Sequence, residues 1–73
     1  MTSELFKNTE LTNREISQLT RQLHGCKPLA EDTIGKYRMD RVADPKIKHL
    51  VTLMLVLGVE QFKWNAGILN VRV

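Results

Sequence analysis

The sequence predicts a mainly α-helical fold, with a small body of three helices followed by a C-terminal β-hairpin or extended tail. Three observations carry that prediction. Apolar residues recur at helical spacing through residues 11–57, and two restart signals, Pro28 and Asp44-Pro45, divide the stretch. After Gly58 the pattern changes to alternation. With 73 residues the chain has room for one hydrophobic core, so residues 1–73 are expected to form a single domain. Its expected parts are an N-terminal segment (1–10), the helical body (11–57) and the tail (58–73).

The first ten residues, MTSELFKNTE, have no clear period, and Leu5 and Phe6 either anchor them to the body or leave them to fray. The first helix is expected to start after Thr12. Thr12 and Glu15 have the spacing of a capping box, in which each side chain bonds the other's free backbone N–H, and Leu11 and Ile16 are placed as a hydrophobic staple. Ile16, Leu19 and Leu23 repeat on one face, and Gly25 is placed to end the helix in a left-handed cap. Pro28 disfavours helical geometry in Lys27, so a turn falls there and a second helix is expected from 28–30 to about residue 41. Leu29, Thr33, Ile34 and Tyr37 would supply its inner side, with Met39 or the stem of Arg41. Gly35 weakens it unless a close helix contact needs the missing side chain. Asp44 and Pro45 read as cap and first residue of a third helix over 45–57, which is apolar nearly all round in its second half and ends at Gly58. It must be the central helix or half of an interface. In the tail, Phe62 and Trp64 alternate with polar residues, as do Leu69, Val71 and Val73, with Asn65-Ala66-Gly67 between them as the turn.

The composition, 42% hydrophobic and 26% charged, is that of an ordinary globular chain. One cysteine, Cys26, excludes an internal disulfide and fits a reducing, cytoplasmic setting. The longest apolar run, residues 49–59, is about half of what spans a bilayer, and no leader pattern opens the chain, so a soluble, unexported protein is expected. No Gly-rich phosphate loop, nucleophile elbow or catalytic triad is present, which argues against an enzyme. His24, Cys26 and His49 match no common zinc spacing, and neither a metal nor a cofactor is expected. The histidines read instead as solvent-facing or capping residues.

The formal charge of +3 is mild, but its placement is informative. Lys36, Arg38, Arg41, Lys46 and Lys48 meet only Asp40 and Asp44 between residues 36 and 48, so this window holds the whole net excess. These cations could track a nucleic-acid backbone, match an acidic protein surface or merely edge a solvated helix. Phe62, Trp64, Leu69 and Val71 either cover the core or offer a strand edge and an aromatic anchor to another chain. Together these nine residues are the candidate partner-binding set.

The segments REISQLTRQLHG and DTIGKYR, with PKIKHL after them, resemble the helix-turn-helix of small phage and plasmid repressors over roughly two-thirds of the chain. The resemblance implies that Ile16 and Ile34 pin the two helices together and that Lys36 and Arg38 enter the major groove, and a DNA-reading dimer would add Arg41 to them. Three departures stand against it. Ile34 follows Gly25 by nine positions, roughly three more than the pattern's turn allows. Arg21 stands where the family has a small residue. Glu31 and Asp32 open the helix that would meet phosphates, and that helix lacks the Asn, Gln or Ser that read base edges alongside Arg.

Two mechanisms therefore compete. In one, a symmetric dimer reads a palindromic operator. In the other, the body binds transcription machinery and nucleic acid is secondary. In size, mild basicity, cysteine use and degenerate helix-turn-helix body, the chain is similar to small lytic-bacteriophage regulators that bind host RNA polymerase. That resemblance implies the β and β′ subunits of bacterial RNA polymerase as partners. It also implies inhibition of initiation, later antitermination and residence in the host cytoplasm. The sequence favours the protein-binding mechanism.

Overall fold

The computed structural model describes residues 1–64 and 67–71. A short 3-10 helix at Thr2–Phe6 precedes α1 (Asn13–Thr20), α2 (Glu31–Arg38) and α3 (Ile47–Leu57), and strands β1 (Gln61–Trp64) and β2 (Gly67–Asn70) follow. The expected three-helix body and C-terminal antiparallel hairpin are both present.

The capping box forms at the start of α1: Glu15 N–H donates to Thr12 Oγ1 at 3.1 Å, and Thr12 N–H donates to Glu15 Oε1 at 2.9 Å. Replacing Thr12 with alanine leaves a helix N–H unmet, and thermal melts should register a loss of about 1 kcal/mol. The helix stops well before Gly25, which takes its left-handed φ of 78° in the connection instead. The side chains of α1 explain this. Ser17 Oγ donates to the Leu29 carbonyl at 2.6 Å, and Leu29 N–H donates to Thr20 Oγ1 at 3.0 Å. Two buried hydroxyls thus hold an extended strand of chain against α1, and Leu29 enters the core from it.

That extended segment delays α2 to Glu31. Ile34 and Tyr37 are its core residues, while Met39 is 61% exposed and Arg41 is also exposed, so neither supplies the inner side. A left-handed residue ends the helix at Asp40 (φ 55°), with Arg41 N–H reaching back to the Lys36 carbonyl at 2.8 Å. Aspartate tolerates that conformation better than most side chains. Gly35 has its reason: a Cβ there would stand 3.2 Å from Asn13 Nδ2, so α1 and α2 approach closely at this point.

The N-terminal segment is anchored. Leu5 and Phe6 are buried, Thr2 Oγ1 donates to the Tyr37 carbonyl at 2.6 Å, and Ser3 donates to Asp40 through both its N–H (2.9 Å) and its hydroxyl (2.6 Å). These bonds, the Ser3 hydroxyl first, hold the Asp40 carboxyl below the usual aspartate range; the backbone bond of Thr12 and its hydroxyl do the same for Glu15. With both native values lowered, the unfolded chain takes up protons first as pH falls. Stability from these groups is therefore present above pH ~4 and lost below it. Thermal midpoints should drop through that window, and Asp40→Asn should flatten the drop.

Asp44 and Pro45 do not open α3 as expected; Lys46 is its N-cap. Lys46 N–H donates to Tyr37 Oη at 3.1 Å, which keeps Lys46 extended and postpones the helix by two residues. Leu50, Leu53 and Met54 of α3 lie at the centre of the core, and Gly58 (φ 71°) ends it with Val59 N–H on the Met54 carbonyl. In the hairpin Phe62 pairs with Leu69, Lys63 with Ile68 and Trp64 with Gly67. Gly67 is the first residue of β2 and not part of the turn; the expected turn residues Asn65 and Ala66, and Val73, lie outside the described residues. Among the described residues no helix is long and apolar enough to cross a membrane.

Candidate protein-binding groove

The nine sequence-nominated residues divide into three groups. Phe62 is in the core, and Leu69 and Val71 pack against it, so these three close the open side of the helical body. The hairpin's other face leaves Ile68 56% exposed beside Lys63.

The second group is on or next to α2. The Arg38 guanidinium donates to Asn13 Oδ1 and to the Leu11 carbonyl, each at 2.7 Å, and lies 4.9 Å over the Phe6 ring. It bridges α2, the start of α1 and the N-terminal segment, so it is a structural group and not an outward cation. Lys36 stands 3.4 Å from Asp32, both exposed. Lys36 and Arg41 line one shallow depression with Glu31 and Asp32, so this surface carries both signs of charge. The connection between α1 and α2 is residues 21–30, far longer than the three or four residues of a tight helix-turn-helix.

The third group converges. Lys46 and Lys48, at the amino end of α3, line with Trp64 a groove of about 890 Å³ whose other walls include Gly25, Cys26 and Lys27 from the α1–α2 connection. Pro45, Ile47, Val51 and the half-buried Trp64 supply its apolar surface. Among the described residues of its lining, three lysines meet one carboxylate, Asp44. Among the described residues the one ion pair is Lys36–Asp32, which leaves these lysines unmatched. Trp64 also lines a smaller depression of about 260 Å³ with Val42 and Phe62, so it stands between the groove and the core.

His49 joins the groove to the core. Its Nδ1 lies 3.0 Å from Tyr37 Oη, and the two rings meet edge to face with centroids 5.6 Å apart. Burial, and then the charge of Lys46, lower its pKa, so it is neutral at pH 7 and its Nδ1 can accept a hydrogen bond from the Tyr37 hydroxyl. Nothing in the sequence around His49 marks this role, and Lys27 and Ile47 do not stand out there as groove residues. A signal existed for Ile47: it shares a helix face with Val51, an apolar stripe additional to the one carrying Leu50 and Leu53.

Comparison with protein-family models, with curated proteins and with solved structures returns no match.

Proposed function

We propose that this chain is a transcription regulator that acts by binding protein, with bacterial RNA polymerase, through its β and β′ subunits, as the target. The observation that carries the protein-binding reading is the fate of Arg38. Arg38, the last residue of the helix that would read DNA, is tied to Asn13, Leu11 and Phe6, and the rest of that helix presents Glu31 and Asp32 beside Lys36. A duplex-reading helix needs free cations and base-edge readers on its exposed face. The unmatched lysines lie instead around an apolar groove with Trp64, a composition that suits a protein interface. The choice of polymerase rests on the resemblance in size, charge and cysteine use to small phage regulators. In this reading binding lowers initiation from host promoters and can favour antitermination. No enzymatic step is involved.

The test is a pull-down of tagged protein from bacterial lysate treated with nuclease, read by mass spectrometry. The reading expects stoichiometric polymerase subunits to survive nuclease. Recovery of the bait alone, with binding restored by added DNA, would favour the operator-reading dimer. That rival also expects log K to fall by about 0.9 for each phosphate contact against log salt.

A further inference from the structure

We infer that the groove between α3 and Trp64 takes a short acidic peptide segment carrying an apolar residue, with its carboxylates on Lys46, Lys48 and Lys27 and its apolar side chain against Trp64 and Ile47. The inference rests on the protein-binding reading and names the chemistry that this site recognises.

Charge is the first argument. Three lysines against Asp44 give the described residues of the groove a net excess of two positive charges, and His49 adds none at pH 7. The second argument is apolar exposure. Ile47 is 54% exposed although it sits between two lysines on a helix packed into the core, and Trp64 and Val51 extend that surface. A ligand made only of charge would leave these side chains in water. The third argument comes from the amino end of α3. Among the described residues no side chain caps it and its first turn holds no acid, whereas α2 carries Glu31 and Asp32 there. A ligand carboxylate near Ile47 would meet the free N–H groups and the positive end of the helix dipole. Single-stranded nucleic acid fits less well, because its binding sites stack successive bases on several aromatic platforms and this groove has one half-buried tryptophan.

Trp64 is the sole tryptophan, so its emission reports occupancy in the full-length protein. The probe is a blocked peptide of roughly ten residues, glutamates around a central leucine, titrated at low and high salt. A saturable emission change is expected, weakened about tenfold in Lys46→Glu/Lys48→Glu and again at high salt, with circular dichroism unchanged in the variant. Ile47→Ala should weaken binding about threefold or more and leave the salt dependence intact. A flat titration would overturn the proposal. So would equal binding of a lysine-for-glutamate peptide, or tighter binding of an oligothymidylate of the same length. The peptide is also used to compete with purified polymerase. If polymerase binds and neither the peptide nor the lysine reversals affect it, the groove assignment fails and the polymerase reading stands. If the peptide binds and polymerase does not, the reverse holds.

Discussion

Tyr37→Ala is expected to remove a large share of the stability of this chain. Tyr37 is 1% exposed and sits where three parts of the molecule meet. Its carbonyl accepts the Thr2 hydroxyl, its own hydroxyl contacts His49 Nδ1 and accepts Lys46 N–H, and its ring packs edge-on to His49. Truncating a buried aromatic costs about 3–5 kcal/mol through lost burial and the cavity left behind. Against it stands a total stability of about 4–11 kcal/mol for a chain of this length. Tyr37→Phe separates the contributions, since it keeps the ring and removes the hydroxyl, leaving the Lys46 N–H and His49 without their partner. A loss of about 1–3 kcal/mol is expected there. Urea titration followed by circular dichroism checks both. A cooperative transition in Tyr37→Ala, within about 1 kcal/mol of the native protein, would show that the junction is not where the fold is held.

Arg38→Met is expected to cost about 2–4 kcal/mol, because two charge-assisted hydrogen bonds and the contact with the Phe6 ring are lost together. Methionine keeps much of the stem, so the loss isolates the guanidinium. The same substitution should leave affinity for the partner unchanged once it is corrected to folded molecules. Arg41→Glu and Lys36→Glu, at exposed positions beside Glu31 and Asp32, should change stability by less than about 0.5 kcal/mol. The outcome separates a helix built to read DNA from one whose last cation holds the fold. If Arg38→Met melted like the native protein and abolished binding, Arg38 would belong to the interface.

Local patterns in this chain were legible and distant ones were not. The Thr12–Glu15 capping box, the stop at Gly58 and the hairpin alternation depend on neighbours in sequence, and each lies where its pattern places it, whereas the contact that needs Gly35 comes from Asn13 on another helix. The misplaced helix ends have non-local causes. α1 ends at Thr20 because Ser17 and Thr20 bond Leu29, and α3 starts late because Tyr37 holds Lys46. A hydroxyl or a tyrosine in a sequence does not announce a partner nine or more residues away.

The candidate site shows the same division. The basic window and the aromatic tail were visible, and Lys46, Lys48 and Trp64 do meet at one groove. Arg38 looked like its neighbouring cations in sequence and faces inward because Asn13 and Phe6 come to it from other segments. Phe62, Leu69 and Val71 looked like interface residues and cover the core instead, which a hairpin over a small three-helix body must do to bury enough surface.

The most direct test of the central claim is co-elution of this chain with purified, nuclease-treated bacterial core RNA polymerase on a sizing column at physiological salt. The account predicts a complex of near-equal stoichiometry that forms without DNA and is lost in Lys46→Glu/Lys48→Glu but kept in Lys36→Glu/Arg41→Glu. Elution of the native protein apart from polymerase, together with a shift of duplex DNA by the same preparation, would contradict it.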